Sequence, residues 1–129
     1  MAFKLKAVFI QFKPKSLMRI PGQIGDWYER DNIIYITVAS EMDAKSAYAV
    51  AVHELFEKLK CDEDGVTEKQ VDKWDTDHQD SDEECGDMKG CPYGKQHKLA
   101  TKLEKLWLKV AGGMSWKKHD KHLDEVVDS

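Results

Sequence analysis

Near Ser40 the hydrophobic period of the chain changes from two to about 3.6 residues, dividing a strand-forming first third from a helix-forming remainder. Upstream, Phe3-Lys4-Leu5-Lys6-Ala7-Val8-Phe9-Ile10-Gln11-Phe12 alternates apolar with basic residues and then turns continuously apolar. That pattern predicts a strand with one buried face, set at a sheet edge where Lys4 and Lys6 discourage further pairing. Pro14 and Pro21-Gly22 punctuate the chain after it. Trp27-Tyr28 and Ile33 to Val38 then flank Glu29-Arg30-Asp31-Asn32, which reads as a hairpin turn. Residues 3–38 are therefore expected to form a small antiparallel sheet.

Downstream the spacing predicts helices over 41–60, 67–77 and 95–110. Ser40 is the expected N-cap of the first, with Asp43 an acid in its first turn. Tyr48, Val52, Leu55, Phe56 and Leu59 gather on one face as core, opposite His53 and Glu57, and the helix should end near Cys61. Val71 and Trp74 point inward from the second helix. Residues 77–89 are acidic and poor in apolar side chains, so they read as a loop, long enough to be functional or disordered. In the last helix Leu99, Leu103, Leu106, Trp107 and Val110 make the expected buried stripe, while His97, Thr101 and Glu104 line another face. Gly112-Gly113 terminate it. The fold class is α+β: a small antiparallel sheet on two to three helices, one domain over residues 1–116, with 117–129 a polar tail.

A chain of 129 residues, 41% of them hydrophobic, suits one modest core. With 34% charged residues, a net charge of -4 and lysines interleaved with acids, a nucleic-acid partner is disfavoured. No apolar run reaches membrane-spanning length, and the start has no apolar block with a small-residue cleavage site. Three cysteines do not suggest a secreted disulfide framework, so the cytoplasm is the expected compartment.

His53-Glu54-Leu55-Phe56-Glu57 places chemistry on the first helix. Residues four apart stand above one another, so the His53 imidazole and Glu57 carboxylate point the same way. Glu54 lies about 100° round, able to touch water on an ion without binding the ion itself. This is the layout of the zinc-peptidase HExxH helix with a carboxylate in place of the second histidine. A catalytic zinc takes three protein ligands, and His97, away from its helix's apolar stripe, is the natural third. Glu104 shares the His97 face but lies roughly 10 Å along the axis, fitting it to support a ligand or to structural work. With His53, Glu57 and His97 holding Zn2+ or another divalent transition metal, Glu54 would act as general base toward an amide or other acyl bond.

Val52 to Glu57, Leu59-Lys60-Cys61, Val71-Asp72-Lys73-Trp74-Asp75, Pro92-Tyr93 with His97, and Ala100 to Glu104 resemble a group of short phage- and prophage-encoded proteins of unassigned function. The resemblance covers about residues 49–116 and implies a very small zincin-like metal protein, more firmly metal-binding than peptidase. In that group a histidine commonly follows the Pro-Tyr pair, where this chain has Gly94. The resemblance admits a minimal peptidase-like hydrolase acting on a peptide in a host cytoplasm. It also admits a metal-stabilised accessory module that docks on a host protein without chemistry.

Other residues carry competing readings. Glu54 and Glu57 could pair with Lys58 and Lys60 on a solvated face, for little energy. Cys61, Cys85 and Cys91 with His97 or His78 could build a structural zinc site, although Cys85 and Cys91 are spaced wider than in zinc fingers; more simply, Cys61 is a buried helix-end residue and the others are loop thiols. Asp72 and Asp75 could orient a ligand histidine or sit on a helix surface. His78, His119 and His122 read as solvent-facing. The acidic run 77–84 lacks the EF-hand pattern.

Overall fold

The computed structural model describes residues 4–129; Phe3, the expected first strand residue, lies outside them. Three strands, β1 (Ala7–Lys13), β2 (Gly25–Arg30) and β3 (Ile33–Ala39), are joined with four helices, α1 (Ala44–Asp64), α2 (Glu68–Asp77), α3 (Gly94–Trp107) and α4 (Trp116–Asp128), in an α+β fold. The sheet is mixed, not antiparallel, in the order β1-β3-β2. β2 and β3 form the expected hairpin, but its turn is only Asp31-Asn32, both left-handed at φ 54° and 64°. Positive φ at both central residues matches the twist of the flanking strands. β1 instead runs parallel to β3, Ala7 opposite Ile33. The reason is the Pro14–Ile24 connection: it crosses the end of the sheet, tucking Met18 and Ile20 inside, and delivers β2 to the far side of β3.

β3 is the central strand, and its Ile34, Ile36 and Val38 are sealed against α1. β1 is the expected edge, yet neither of its faces is covered: Val8, Phe9, Ile10 and Phe12 remain 41–51% exposed.

Asp43, not Ser40, caps α1, its side chain accepting from the Ser46 N–H at 2.9 Å. The helix runs past Cys61 to Asp64 and stops at Gly65, left-handed at φ 77°. Thr67 and Gln70 close a capping box on α2.

The two long helices bury the faces opposite to those their hydrophobic spacing indicates. α1 encloses Ala47, Val50, Ala51, His53, Glu57 and Cys61. Its expected core residue Tyr48 is 53% exposed, and Val52, Leu55, Phe56 and Leu59 are only partly covered. α3 encloses Gln96, His97, Ala100 and Glu104, with Leu108 in the π-helical turn Leu108–Gly112 that succeeds it; Leu103, Leu106 and Val110 face out. Small residues at Ser46, Ala49 and Ala100 let α1 and α3 approach closely, and the polar groups between them satisfy one another. An apolar ridge is left outside, running Phe12–Tyr48–Trp107 through aromatic contacts with ring centroids 5.6 and 6.5 Å apart.

Residues 117–129 are not a tail. Ser115 accepts from the Lys118 N–H to start α4, and His119 and Val126 are buried beneath it. His119 is therefore a core histidine, contrary to its polar surroundings in sequence. His122 Nε2 accepts from the Asp43 N–H, and His78 stacks on Trp74 while its Nδ1 lies 2.7 Å from the Trp74 carbonyl. Among the described residues, no helix is long and apolar enough to cross a membrane.

Candidate metal centre

His53 and Glu57, one turn apart on α1, meet His97 from the first turn of α3. Glu57 Oε2 lies 3.2 Å from His53 Nε2 and 3.0 Å from His97 Nδ1, and the two ring nitrogens are 3.2 Å apart. All three side chains are buried. Three atoms at the corners of such a triangle fit one divalent ion. Ligands held about 2.0–2.1 Å from a tetrahedral zinc stand roughly 3.3 Å from one another, a few tenths of an ångström wider than here.

What lies behind each ligand decides which atom it presents. His53 Nδ1 is 2.9 Å from Glu104 Oε1, so the ring can keep a proton there and offer the Nε2 lone pair to an ion in the triangle. His97 Nε2 lies near two exposed carboxylates, Asp87 Oδ1 at 3.3 Å and Glu84 Oε1 at 3.5 Å. Glu57 accepts from Trp27 Nε1–H at 2.9 Å through its other oxygen. Metal-bound histidines almost always have a carboxylate or carbonyl on the far ring nitrogen, and here both candidate ligands have a carboxylate.

The support behind His53 continues inward. Glu104 Oε2 lies 2.5 Å from His119 Nε2, and His119 Nδ1 lies 2.9 Å from Ser46 Oγ. This chain of contacts ties α1, α3 and α4 together in a buried layer. Glu104 thus touches His53, not the converging triangle itself.

Two glycines make room for the site. A Cβ on Gly86 would stand 2.4–2.7 Å from the His97 ring, so only glycine lets the Cys85–Asp87 turn lie against that imidazole. A Cβ on Gly25 would meet Val50 at 2.7 Å and the Glu54 carboxylate at 3.1 Å. Glu54 Oε2 is 4.0 Å from His53 Nε2, and among the described residues Glu54 makes no hydrogen bond. Its oxygens are open to the cleft above the triangle, a hollow of about 620 Å³.

The local field calls for positive charge at the triangle. Burial alone would raise Glu57, but hydrogen bonds and charge from His53 and His97 hold it down at about 2. Burial would lower His53, yet Glu104 and Glu57 lift it well above its ordinary value. His97 is raised too, Glu57 and Glu84 outweighing its burial. Glu54 is pushed well above the usual carboxylate range, first by burial and then by the Glu57 charge. Protons supply the positive charge where no ion does.

Other sequence candidates stand elsewhere. Asp75 accepts from Tyr93 Oη–H and, at 2.8 Å, from Gln23 Nε2–H, not from a candidate ligand, and burial raises it to about 6. Asp72 pairs with Arg19 at 2.7 Å. Cys61 is buried, Cys85 and Cys91 are half-buried, and all three are free thiols. Among the described residues the groupings able to hold a metal are His53-Glu57-His97 and Glu84-Asp87-His97, and neither contains a cysteine.

Sequence reasoning marked Ser46 and Ala49 as small residues leaving room for another element beside His53, as found, but missed Trp27, Glu84, Asp87, His119 and both glycines. A faint signal existed for His119: Trp116, His119, Leu123 and Val126 recur at helical spacing. Compared with protein-family models, with curated proteins and with solved structures, the chain finds no match in any of the three.

Proposed function

We propose that the chain is a minimal metal-dependent hydrolase, peptidase-like, with His53, Glu57 and His97 as ligands and Glu54 as general base. The observation that carries this reading is the convergence of three buried ligand atoms at 3.0–3.2 Å, each histidine backed by a carboxylate. Two imidazoles and one carboxylate are the donor set of catalytic zinc sites, and the remaining coordination position would face the cleft. An ion bound here supplies Lewis acidity to a water and to a substrate carbonyl.

The chain's own residues do the rest. Glu57 carries the negative charge that favours the ion, and Trp27 fixes its rotamer. Glu104 holds the His53 ring and the Asp87–Glu84 pair holds the His97 ring. Glu54 would accept a proton from the water whose oxygen bonds to the substrate carbonyl carbon, and pass that proton to the nitrogen released as the C–N bond breaks. The HExxE helix and the Pro-Tyr…His segment favour kinship with the small phage-encoded zincin-like proteins.

A second reading, a metal-stabilised module that docks on a host protein, is favoured by one observation: the ridge of Phe12, Tyr48, Leu106 and Val110, with half-buried Trp107 among them, is apolar and exposed. Metal analysis of the purified protein, its His97→Ala and its Glu54→Gln variants separates the readings. A hydrolase keeps its metal and loses peptide cleavage in Glu54→Gln, and loses metal in His97→Ala. Metal retained by His97→Ala removes the proposed site; cleavage that survives Glu54→Gln removes the general base. Metal-dependent folding with no cleavage by the wild type leaves the docking reading.

A further inference from the structure

We infer that the cleft selects a positively charged substrate, a peptide carrying lysine or arginine beside the bond offered to Glu54. Cleavage of that bond rests on the hydrolase reading; binding of the cationic side chain does not.

Lysines and acids are interleaved along the chain, α4 included with Lys117, Lys118 and Lys121, but the cleft lining itself is mostly acidic among its charged groups. The cleft lining draws Asp82, Glu83, Glu84 and Asp87 from the segment between α2 and α3, and Asp120 and Asp124 from α4. All six are exposed. Among the described residues Asp82, Glu83, Asp120 and Asp124 form no ion pair, whereas deeper carboxylates are compensated: Asp26 by Arg19, Glu57 and Glu104 by imidazoles. A single lysine, Lys105, lines the cleft, and it leans over the Trp116 ring at 4.8 Å. The other lysines of α3, at 95, 98 and 102, lie outside the cleft lining.

Carboxylates gathered round one hollow focus negative potential into it and raise the local concentration of cations. The lining mixes these carboxylates with apolar side chains, among them Trp116, Leu123, Ile24 and Val50. That combination suits the long basic side chains, whose methylene stems lie on apolar surface while the charged head reaches acidic groups. A glutamate at the same place would meet like charge. The cleft volume, about 620 Å³, is that of a site for a short peptide segment or a comparable ligand.

The test uses the full chain and three labelled, end-blocked tetrapeptides that differ only in a central lysine, norleucine or glutamate. Binding is read by fluorescence anisotropy in low salt, on zinc-loaded and on chelator-treated protein, with zinc content measured on the same samples. Lysine is expected to bind at least about tenfold tighter than glutamate, with norleucine between, and the gap should shrink severalfold at high salt. In the variant D82N/E83Q/D120N/D124N the gap should fall to about threefold or less. These four residues are exposed and touch none of the candidate ligands, so zinc content and thermal unfolding serve as checks on the fold. Neutralising Glu63 and Asp128, outside the cleft, should leave the preference intact. Equal affinities for the three peptides, or a preference that survives the quadruple substitution, overturns the inference. A lysine preference that exists only through Glu63 and Asp128 makes it a whole-surface effect and likewise overturns it. Absence of zinc with the lysine preference intact sinks the metal reading alone; zinc with no preference sinks the cationic-substrate reading alone.

Discussion

Replacing Gly86 by alanine adds a single methyl group and isolates one contact. Gly86 does not require a left-handed φ, so the backbone itself accepts alanine. The new Cβ would stand 2.4 Å from His97 Cγ, 2.5 Å from Nδ1 and 2.7 Å from Cδ2, where ordinary contact is about 3.5–4.0 Å. Either the imidazole or the Cys85–Asp87 turn must retreat by about 1 Å. His97 cannot do so and keep Nδ1 at 3.0 Å from Glu57 and 3.2 Å from His53. Metal ligands tolerate about 0.2 Å of displacement, so zinc affinity should fall by an order of magnitude or more. Overpacking costs about 1–3 kcal/mol, and the entropy lost from the unfolded chain returns about 0.4–1 kcal/mol. A net loss of about 1–2 kcal/mol in a chain of this length lowers Tm by roughly 3–10 °C. Gly94→Ala is the matched control: its Cβ would meet Cys91 Cβ and the Gly86 carbonyl at 3.7 Å, ordinary contacts, in the first turn of α3. That change should leave zinc binding intact and raise stability by up to about 1 kcal/mol. Competition titration against a chromogenic chelator, with thermal unfolding of both variants, measures each quantity. Wild-type zinc affinity in Gly86→Ala, or equal damage in Gly94→Ala, refutes the reasoning.

Glu104→Gln keeps the shape of the side chain but cannot accept from both His53 and His119. Zinc affinity should drop about 10–100-fold with the ligand set unchanged, and an undiminished affinity would show that Glu104 does not hold the ring. In zinc-free protein the pH dependence has two flanks. His53 and His97 are raised, so their stabilisation is full below about 6.5 and is lost as pH climbs through their folded values; Glu57 is lowered to about 2, so its share is present above about 4.5 and is lost as pH falls toward that value. The share of stability carried by these three groups in urea unfolding should therefore be greatest between about pH 4.5 and 6.5, with zinc flattening its alkaline decline; a decline identical with and without zinc contradicts this. Asp75, raised from 3.8 to about 6, binds its proton more tightly when folded, so stability falls as pH rises across that interval. Asp75→Asn removes the effect and should stabilise the protein by up to about 3 kcal/mol at pH 8 and negligibly at pH 4. A gain independent of pH would assign it to packing instead.

In α1 and α3 the sequence separates position from orientation. His53 and Glu57 are legible because a spacing of four puts side chains on one helical row, whatever that row packs against. His97 is legible because it stands off its helix's apolar stripe. Which face of each helix is covered is not: hydrophobic spacing marks where the apolar side lies, and two helices whose polar faces satisfy each other bury those faces instead. The same limit hides α4, whose burial hangs on His119 meeting Glu104, a partner 15 positions away. Gly86 and Gly25 look like any loop glycine until the ring or carboxylate they admit is in place. The parallel pairing of β1 depends on where the Pro14–Ile24 connection lands, which no local pattern records.

β1 offers hydrogen bonds to β3 on one side only, and its outer row of backbone donors and acceptors is bordered by Val8, Phe9, Ile10 and Phe12. Such a border is a template onto which any extended chain can add itself, and the protection here is electrostatic. Lys6 is already committed to Glu29 at 2.8 Å, leaving Lys4 and Lys13 at the two ends of the strand as the guards. Acetylating those two amines, which changes nothing inside the molecule, leaves each copy prone to stack sheet upon sheet as concentration rises.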